Sequence, residues 1–92
     1  MKMAERGMKA VGMIVHYYTR INVAIVELDD TLSVGDRILI QGRAYPIATD
    51  IEQTVESMQI EHKNITSAGS GQSIGLKVDG RVRAGDKVYK IL

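Results

Sequence analysis

Near the start of the chain, apolar residues fill both sides of an alternation. Val11, Met13, Val15 and Tyr17 interleave with Gly12, Ile14, His16 and Tyr18. Period two predicts a strand, here one whose second face is also mostly apolar. Residues 21–28, Ile-Asn-Val-Ala-Ile-Val-Glu-Leu, have equally few polar positions and predict its hairpin partner across Thr19 and Arg20. Asp29, Asp30 and Thr31 break the pattern, and a third strand is expected over residues 36–41. Residues 42–46 turn the chain, and Pro46 cannot donate to a ladder, so the next segment starts at an edge or irregularly. Residues 49–62 read two ways. Ile51, Val55, Met58 and Glu61 could mark one helical face, whereas the period-two alternation is poor. Frequent Thr, Val and Ile favour a strand with a bulge or bend near Glu56 and Ser57. Residues 67–72 read as a loop, 73–78 as a strand, Asp79-Gly80 as a turn, and 87–91 as the last strand.

One block occurs twice, fifty residues apart: Leu32-Ser33-Val34-Gly35-Asp36-Arg37-Ile38 and Val82-Arg83-Ala84-Gly85-Asp86-Lys87-Val88. Gly permits a backbone bend that other residues resist, and Asp can bond its own local backbone. Each copy therefore predicts a tight turn that launches a strand. Nothing else repeats at that interval, so the block is one turn used twice and not a duplicated domain. Six short strands, or seven if residues 49–62 divide at their bend, separated by turn signals predict a closed or nearly closed Greek-key barrel. Residues 1–8 are expected to form a flexible N-terminal segment and residues 9–92 a single domain.

Composition narrows the functions. Val, Ile and Thr supply 25 of 92 residues, which favours strands, while Phe and Trp are absent. Cysteine is absent too, removing disulfides, thiolate metal sites and thiol nucleophiles together. With only His16 and His62, no metal site is expected, and no cofactor is implied. A net charge of +1 is no global signature of nucleic-acid binding. The charged start lacks an apolar export region and no run approaches a membrane span, so a cytoplasmic, membrane-free protein is expected. Asn64-Ile65-Thr66 matches a glycosylation acceptor, but without an export signal that match has no context.

Four segments together resemble the second domain of the translational GTPases, the β-barrel of elongation factor Tu and its relatives. Val11-Gly12-x-Ile14-Val15 is similar to the strand that opens that barrel. Leu32-x-Val34-Gly35-Asp36-x-Ile38 looks like its Gly-Asp turn, and Val55-x-Ser57-Met58-Gln59-Ile60 resembles its central strand. Ala68-x-x-Gly71-x-x-Ile74-Gly75-Leu76-x-Val78 followed by Val82-x-x-Gly85-Asp86-x-Val88 is similar to its closing half. The resemblance covers residues 9–92. It implies an all-β fold, a small six- or seven-stranded Greek-key β-barrel of the translation-protein type, and partners such as tRNA, rRNA or a ribosome-associated protein. The phosphate loop Gly-x-x-x-x-Gly-Lys-Ser/Thr is missing, so no GTP would be bound by this chain. Where the family has an acidic residue that helps hold the tRNA terminal adenosine, this chain has Ser57. Glu56 beside it faces the other way on a regular strand.

Three groups of residues are candidates for function. Lys77, Arg81, Arg83 and Lys87 gather positive charge near the second Gly-Asp turn and would bind RNA phosphates with little sequence preference. The plainer reading of that charge is a solvated barrel rim. Tyr17 and Tyr18, beside His16, could stack on bases, or pack on the barrel end with their hydroxyls in water. Gly69-Ser70-Gly71 precedes a strand, not a helix, so it reads as a turn and not a phosphate loop. Finally, an isolated barrel needs only its inner face apolar. The two-faced runs therefore predict a partner surface through Val23, Ile25, Tyr17 and Tyr18, covered by a second copy as a homodimer, by another protein, or by the chain's own loops. No catalytic residues are assigned. The leading expectation is a non-catalytic RNA- or ribonucleoprotein-binding module. The alternative is a protein–protein module, acting as a homodimer or as an accessory subunit of a larger enzyme.

Overall fold

Two irregularities near the N-terminus decide how the first strand uses its doubly apolar sequence. The computed structural model describes residues 7–43 and 48–92. Its first strand, β1 (Met8–Tyr18), pairs antiparallel with β2 (Val23–Leu28) as the hairpin pattern predicts. The register slips between Ala10 and Gly12 on one edge of β1 and between Ile14 and His16 on the other. An extra residue in a strand reverses which face the following side chains occupy. Val11 and Ile14 are thus fully buried, while beyond the slip at Val15 the residue facing the core is Tyr17, opposite buried Ala24. His16 and Tyr18 turn outward, opposite Ile25 and Val23. Both apolar sets of the sequence are used, one before each irregularity and one after.

Eight further strands follow: β3 (Leu32–Ser33), β4 (Arg37–Gly42), β5 (Thr49–Thr54), β6 (Met58–Ile60), β7 (Lys63–Ile65), β8 (Ser67–Ala68), β9 (Ser73–Lys77) and β10 (Lys87–Ile91). Among the described residues there is no helix, so the expected all-β class holds. Eight strands form one antiparallel sheet in the order β5-β4-β10-β1-β2-β9-β6-β7, and β3 and β8 form a separate pair. Residues 1–6 of the N-terminal segment and the expected turn through Pro46 lie outside the described residues. Met8, the last residue of that segment, opens β1, and the Gly7 carbonyl accepts the Leu92 N–H at 2.8 Å.

Residues 49–54 and 58–60 are strand, not helix, with a break at residues 55–57 where the mixed pattern called for a bend, while residues 61–62, expected to continue the strand, form a turn. That break organises the whole sheet. β5 heads the strand order, and β6, three residues later in the chain, stands near its other end, so the sheet must roll until its two sides meet. Gln53 clasps the seam. Only 2% exposed, its Nε2 donates to the Lys77 carbonyl at 2.9 Å and its Oε1 accepts the Asp79 N–H at 2.8 Å. A buried amide with both ends satisfied stabilises such a seam, since either backbone group left alone would be costly. The interior is mainly aliphatic, built from residues such as Ile14, Val26, Leu32, Ile38, Ile40 and Leu76.

The two Gly-Asp blocks form the same turn. Gly35 and Gly85 take φ of 98° and 97°, the left-handed conformation of a type II turn's third position. The Asp36 and Asp86 N–H groups donate to the Ser33 and Arg83 carbonyls, at 3.0 and 3.1 Å. Each Asp Oδ2 accepts the N–H of that same first residue at 2.9 Å. Each turn then docks on a neighbouring segment through two backbone bonds. The Val55 carbonyl accepts the Gly35 N–H and the Val55 N–H donates to the Asp36 carbonyl, while Ile14 does the same for Gly85 and Asp86.

Candidate functional site

The outward side chains of β2, β9 and β6 border a concavity on the outer face of the sheet. Register places His16 opposite Ile25, Ile25 opposite Gly75, and Gly75 opposite Gln59. On the outer face that row has large side chains everywhere except on β9, where glycine leaves the backbone bare. The result is a groove of about 480 Å³ lined by Tyr18, Ile21, Val23, Ile25, Gln59, Glu61, His62 and Gly75. Its volume is in the range of sites that hold small ligands or side chains. One wall, from β2 and the β1–β2 loop, is apolar. The other, from β6 and the turn after it, is polar.

Local geometry holds both walls in place. Ile21 is 61% exposed and Tyr18 47%, and the Tyr18 ring stacks edge-on against His16 with centroids 4.4 Å apart. Asn22, at φ 56°, reverses the β1–β2 loop, and its Oδ1 accepts the Tyr17 hydroxyl at 3.1 Å. On the polar wall, Gln59 Nε2 donates to Asn64 Oδ1 at 3.0 Å across the β6–β7 hairpin. Glu61 and His62 form that hairpin's two-residue turn with φ of 51° and 66°. Such turns usually carry Asn-Gly, because side chains resist the left-handed region at about 1 kcal/mol or more per residue. Costly backbone of this kind concentrates where a surface has a use.

Three of the four expected partner-surface residues, Tyr18, Val23 and Ile25, line this groove. Tyr17 does not, because the slip at Val15 turns it toward the core. Reading the sequence misses Gly75, Gln59, Glu61 and His62 as a site. A glycine inside a strand is a signal of close approach or open space, but nothing in the sequence tells which residues flank it.

Register separates Lys77 from Lys87. Lys87 on β10 stands opposite Met13, Met13 opposite Glu27, and Glu27 opposite Ser73. Lys77 is therefore three strands away from Lys87 and four residues further along. Arg81 is exposed beyond β9, and the Arg83 N–H is held in its turn by Asp86. Lys87 borders a hollow of about 300 Å³ with Gln41, Arg43 and Tyr89. His16 and His62 also stay apart, on β1 and after β6, with β2 and β9 between them. No three His, Asp or Glu among the described residues group as metal ligands. Gly69-Ser70-Gly71 is a turn closed by Gln72, whose Oε1 accepts the Gly69 N–H at 2.7 Å. The Asp30 carboxyl is held below its ordinary range by hydrogen bonding to Lys9 and to the Thr31 N–H. It lies at the end of β2, away from the groove.

Comparison with known proteins points away from translation. No known family profile matches the chain. It is 40% identical over 79 residues to a protein of Methanocaldococcus jannaschii named an uncharacterized protease, covering 86% of this chain and 19% of that protein. It is 36% identical over 81 residues to a collagenase of Porphyromonas gingivalis, covering 87% of this chain and 22% of the relative. The chain thus spans about a fifth of the length of the curated relatives it matches. The C-terminal domain of a putative U32 peptidase from Geobacillus thermoleovorans shares the fold with a TM-score of 0.77 at 17% identity, over 98% of this chain and 97% of that domain. Its selenomethionine variant gives 0.79 at 18% identity, over 87% and 96%.

These relatives overturn the resemblance to the translational GTPases, and with it the translation-type barrel and the RNA-binding function read from Lys77, Arg81, Arg83 and Lys87. The physical reason is visible in the fold. Two of the matched segments are Gly-Asp turns with the strands they launch, and the other two are short apolar strands; small antiparallel sheets of different ancestry can share all of these. Local turn chemistry repeated in the same order imitates lineage.

Proposed function

We propose that this chain is a non-catalytic accessory domain of U32-peptidase type, which presents protein substrate to a catalytic unit of such an enzyme. The observation that carries this reading is the pairing of length and kinship. Relatives named protease and collagenase match the chain across nearly all of it, yet it corresponds to only a fifth of them. The fold is that of a peptidase's C-terminal domain. The open groove with one apolar and one polar wall suits peptide contact better than bond cleavage, since it gathers no nucleophile beside a base.

The test uses the Porphyromonas gingivalis collagenase. Removing the segment that matches this chain should raise KM for a protein substrate such as gelatin several-fold while leaving kcat within about twofold. Inserting this chain in its place should restore KM. The 92-residue chain alone should release no peptides from gelatin. Gelatin hydrolysis by the isolated chain, or a deletion that leaves KM unchanged, would overturn the reading.

A further inference from the structure

The groove has charged ends of opposite sign, and their spacing matches that of an extended peptide. Gly75 is its floor. A Cβ built there would meet only Val23 Cγ1 at 3.4 Å and the Gln59 carbonyl at 3.8 Å, so the space above is open. Two residues along β9 from Gly75 stands Ser73, opposite Glu27. The same step along the neighbouring chain, from Gln59, reaches Glu61. Glu61 lines one end of the groove, Glu27 stands just beyond the lining on the same outer face of β2, and both are exposed. Two residues from Gly75 the other way stands exposed Lys77, opposite Val23. Each step is about 6.7 Å, the distance between alternate side chains on one face of an extended chain.

We infer that the groove binds an extended peptide segment by seating an apolar side chain over Gly75, with a basic residue two positions away at Glu27 and Glu61 and an acidic residue two positions the other way at Lys77. The apolar side chain lies between Val23 and Ile25 on one side and Gln59 on the other. His62 and Tyr18 bound the groove at its two ends. Opposite charges across an exposed rim contribute mainly selectivity and orientation, while the desolvated apolar contact supplies the affinity. This deepens the accessory-domain reading by naming the chemistry of its substrate, and rests on it for the peptide nature of the ligand.

The probe is an acetylated, amidated heptapeptide with Arg second, Leu fourth and Glu sixth on a Gly-Ser background, titrated into the isotope-labelled full chain. Saturable amide shifts are expected at Gly75, Ile25, Gln59 and His62. Replacing Leu by Ser should weaken binding at least tenfold. Moving Arg beside Leu, which turns it to the opposite face, should cost as much as deleting it. Gly75→Val fills the floor with a residue strands accept, and should abolish the shifts while the rest of the spectrum stays folded. Gly75→Ala should weaken them by an intermediate factor. Glu27→Gln with Glu61→Gln should erase the preference for Arg but keep that for Leu. Shifts centred on the hollow at Lys87, equal binding of the Ser peptide, or unchanged binding to Gly75→Val would each overturn the proposal. If the collagenase deletion raises KM and the peptide leaves these amides unmoved, the groove is wrong and the accessory role stands. If the peptide binds and the deletion has no effect, the role fails alone.

Discussion

The turns at residues 33–36 and 83–86 are the same object by every local measure, and yet they sit in different surroundings. Both place glycine near φ 98°, both close on the first residue's carbonyl, and both use an aspartate oxygen to take that residue's N–H at 2.9 Å. What differs is the cover over the aspartate. Asp36 is partly exposed, with the Lys90 ammonium 3.5 Å from its carboxylate. Asp86 is 3% exposed and lies where a side chain of Gly42 would be. Turn geometry is thus settled within four residues, while burial is decided by whichever strand passes over it. A repeated sequence block marks a repeated local solution.

The largest effect that could break this comparison is Gly42→Ala. A Cβ there would overlap Asp86 Oδ1, so the buried carboxylate must move and its bond to Arg83 is lost. A destabilisation of about 2–4 kcal/mol is expected in urea unfolding, and a loss below about 1 kcal/mol would mean that strand β4 does not cover the second turn closely. Next in size is the contrast between two deletions. Asp86→Ala strands a backbone N–H in a dry setting and should cost about 2–3 kcal/mol, against about 1 kcal/mol for Asp36→Ala, where water can replace the carboxylate. Equal losses would show that the difference in cover has no energetic weight. The smallest effect sharpens the likeness instead. Gly35→Ala and Gly85→Ala meet no atoms within 4 Å, so each should lose only about 1–2 kcal/mol for the left-handed conformation, and the two should agree within about 0.5 kcal/mol. A larger gap would separate the turns even at the local level.

Half of the candidate site can be read from the residues in order. Tyr18, Val23 and Ile25 stand out because residues 11–28 are apolar on more faces than one small core can use. The other half is hidden for two reasons. Glu61-His62 has none of the Asn-Gly chemistry that announces a two-residue hairpin, so β7 is not predicted and the polar wall has no strand to stand on. Gly75 sits in a strand that reads well without special pleading, and its meaning depends on Ile25 and Gln59 standing opposite it. Sequence proximity among the basic residues does not carry over to strand neighbours. Arg83 and Lys87 are close in sequence around one turn, but Lys77 ends on the far side of two intervening strands.

The class of fold, the two Gly-Asp turns, the β1–β2 hairpin and the break near Ser57 all follow from the order of residues, because each depends on alternation or turn chemistry within a few positions. Assembly of the sheet was needed to choose which faces those strands present, to let Gln53 clasp the rolled edges, and to lay Gly75 beneath a groove between an apolar and a polar wall. A register slip of one residue at Val15 moves Tyr17 inward and Tyr18 outward. Cross-strand neighbours from residues 16 to 75 meet only when the strands have paired. The physical reason is range: backbone propensity acts over a turn, whereas a surface is made by side chains that the chain itself keeps far apart.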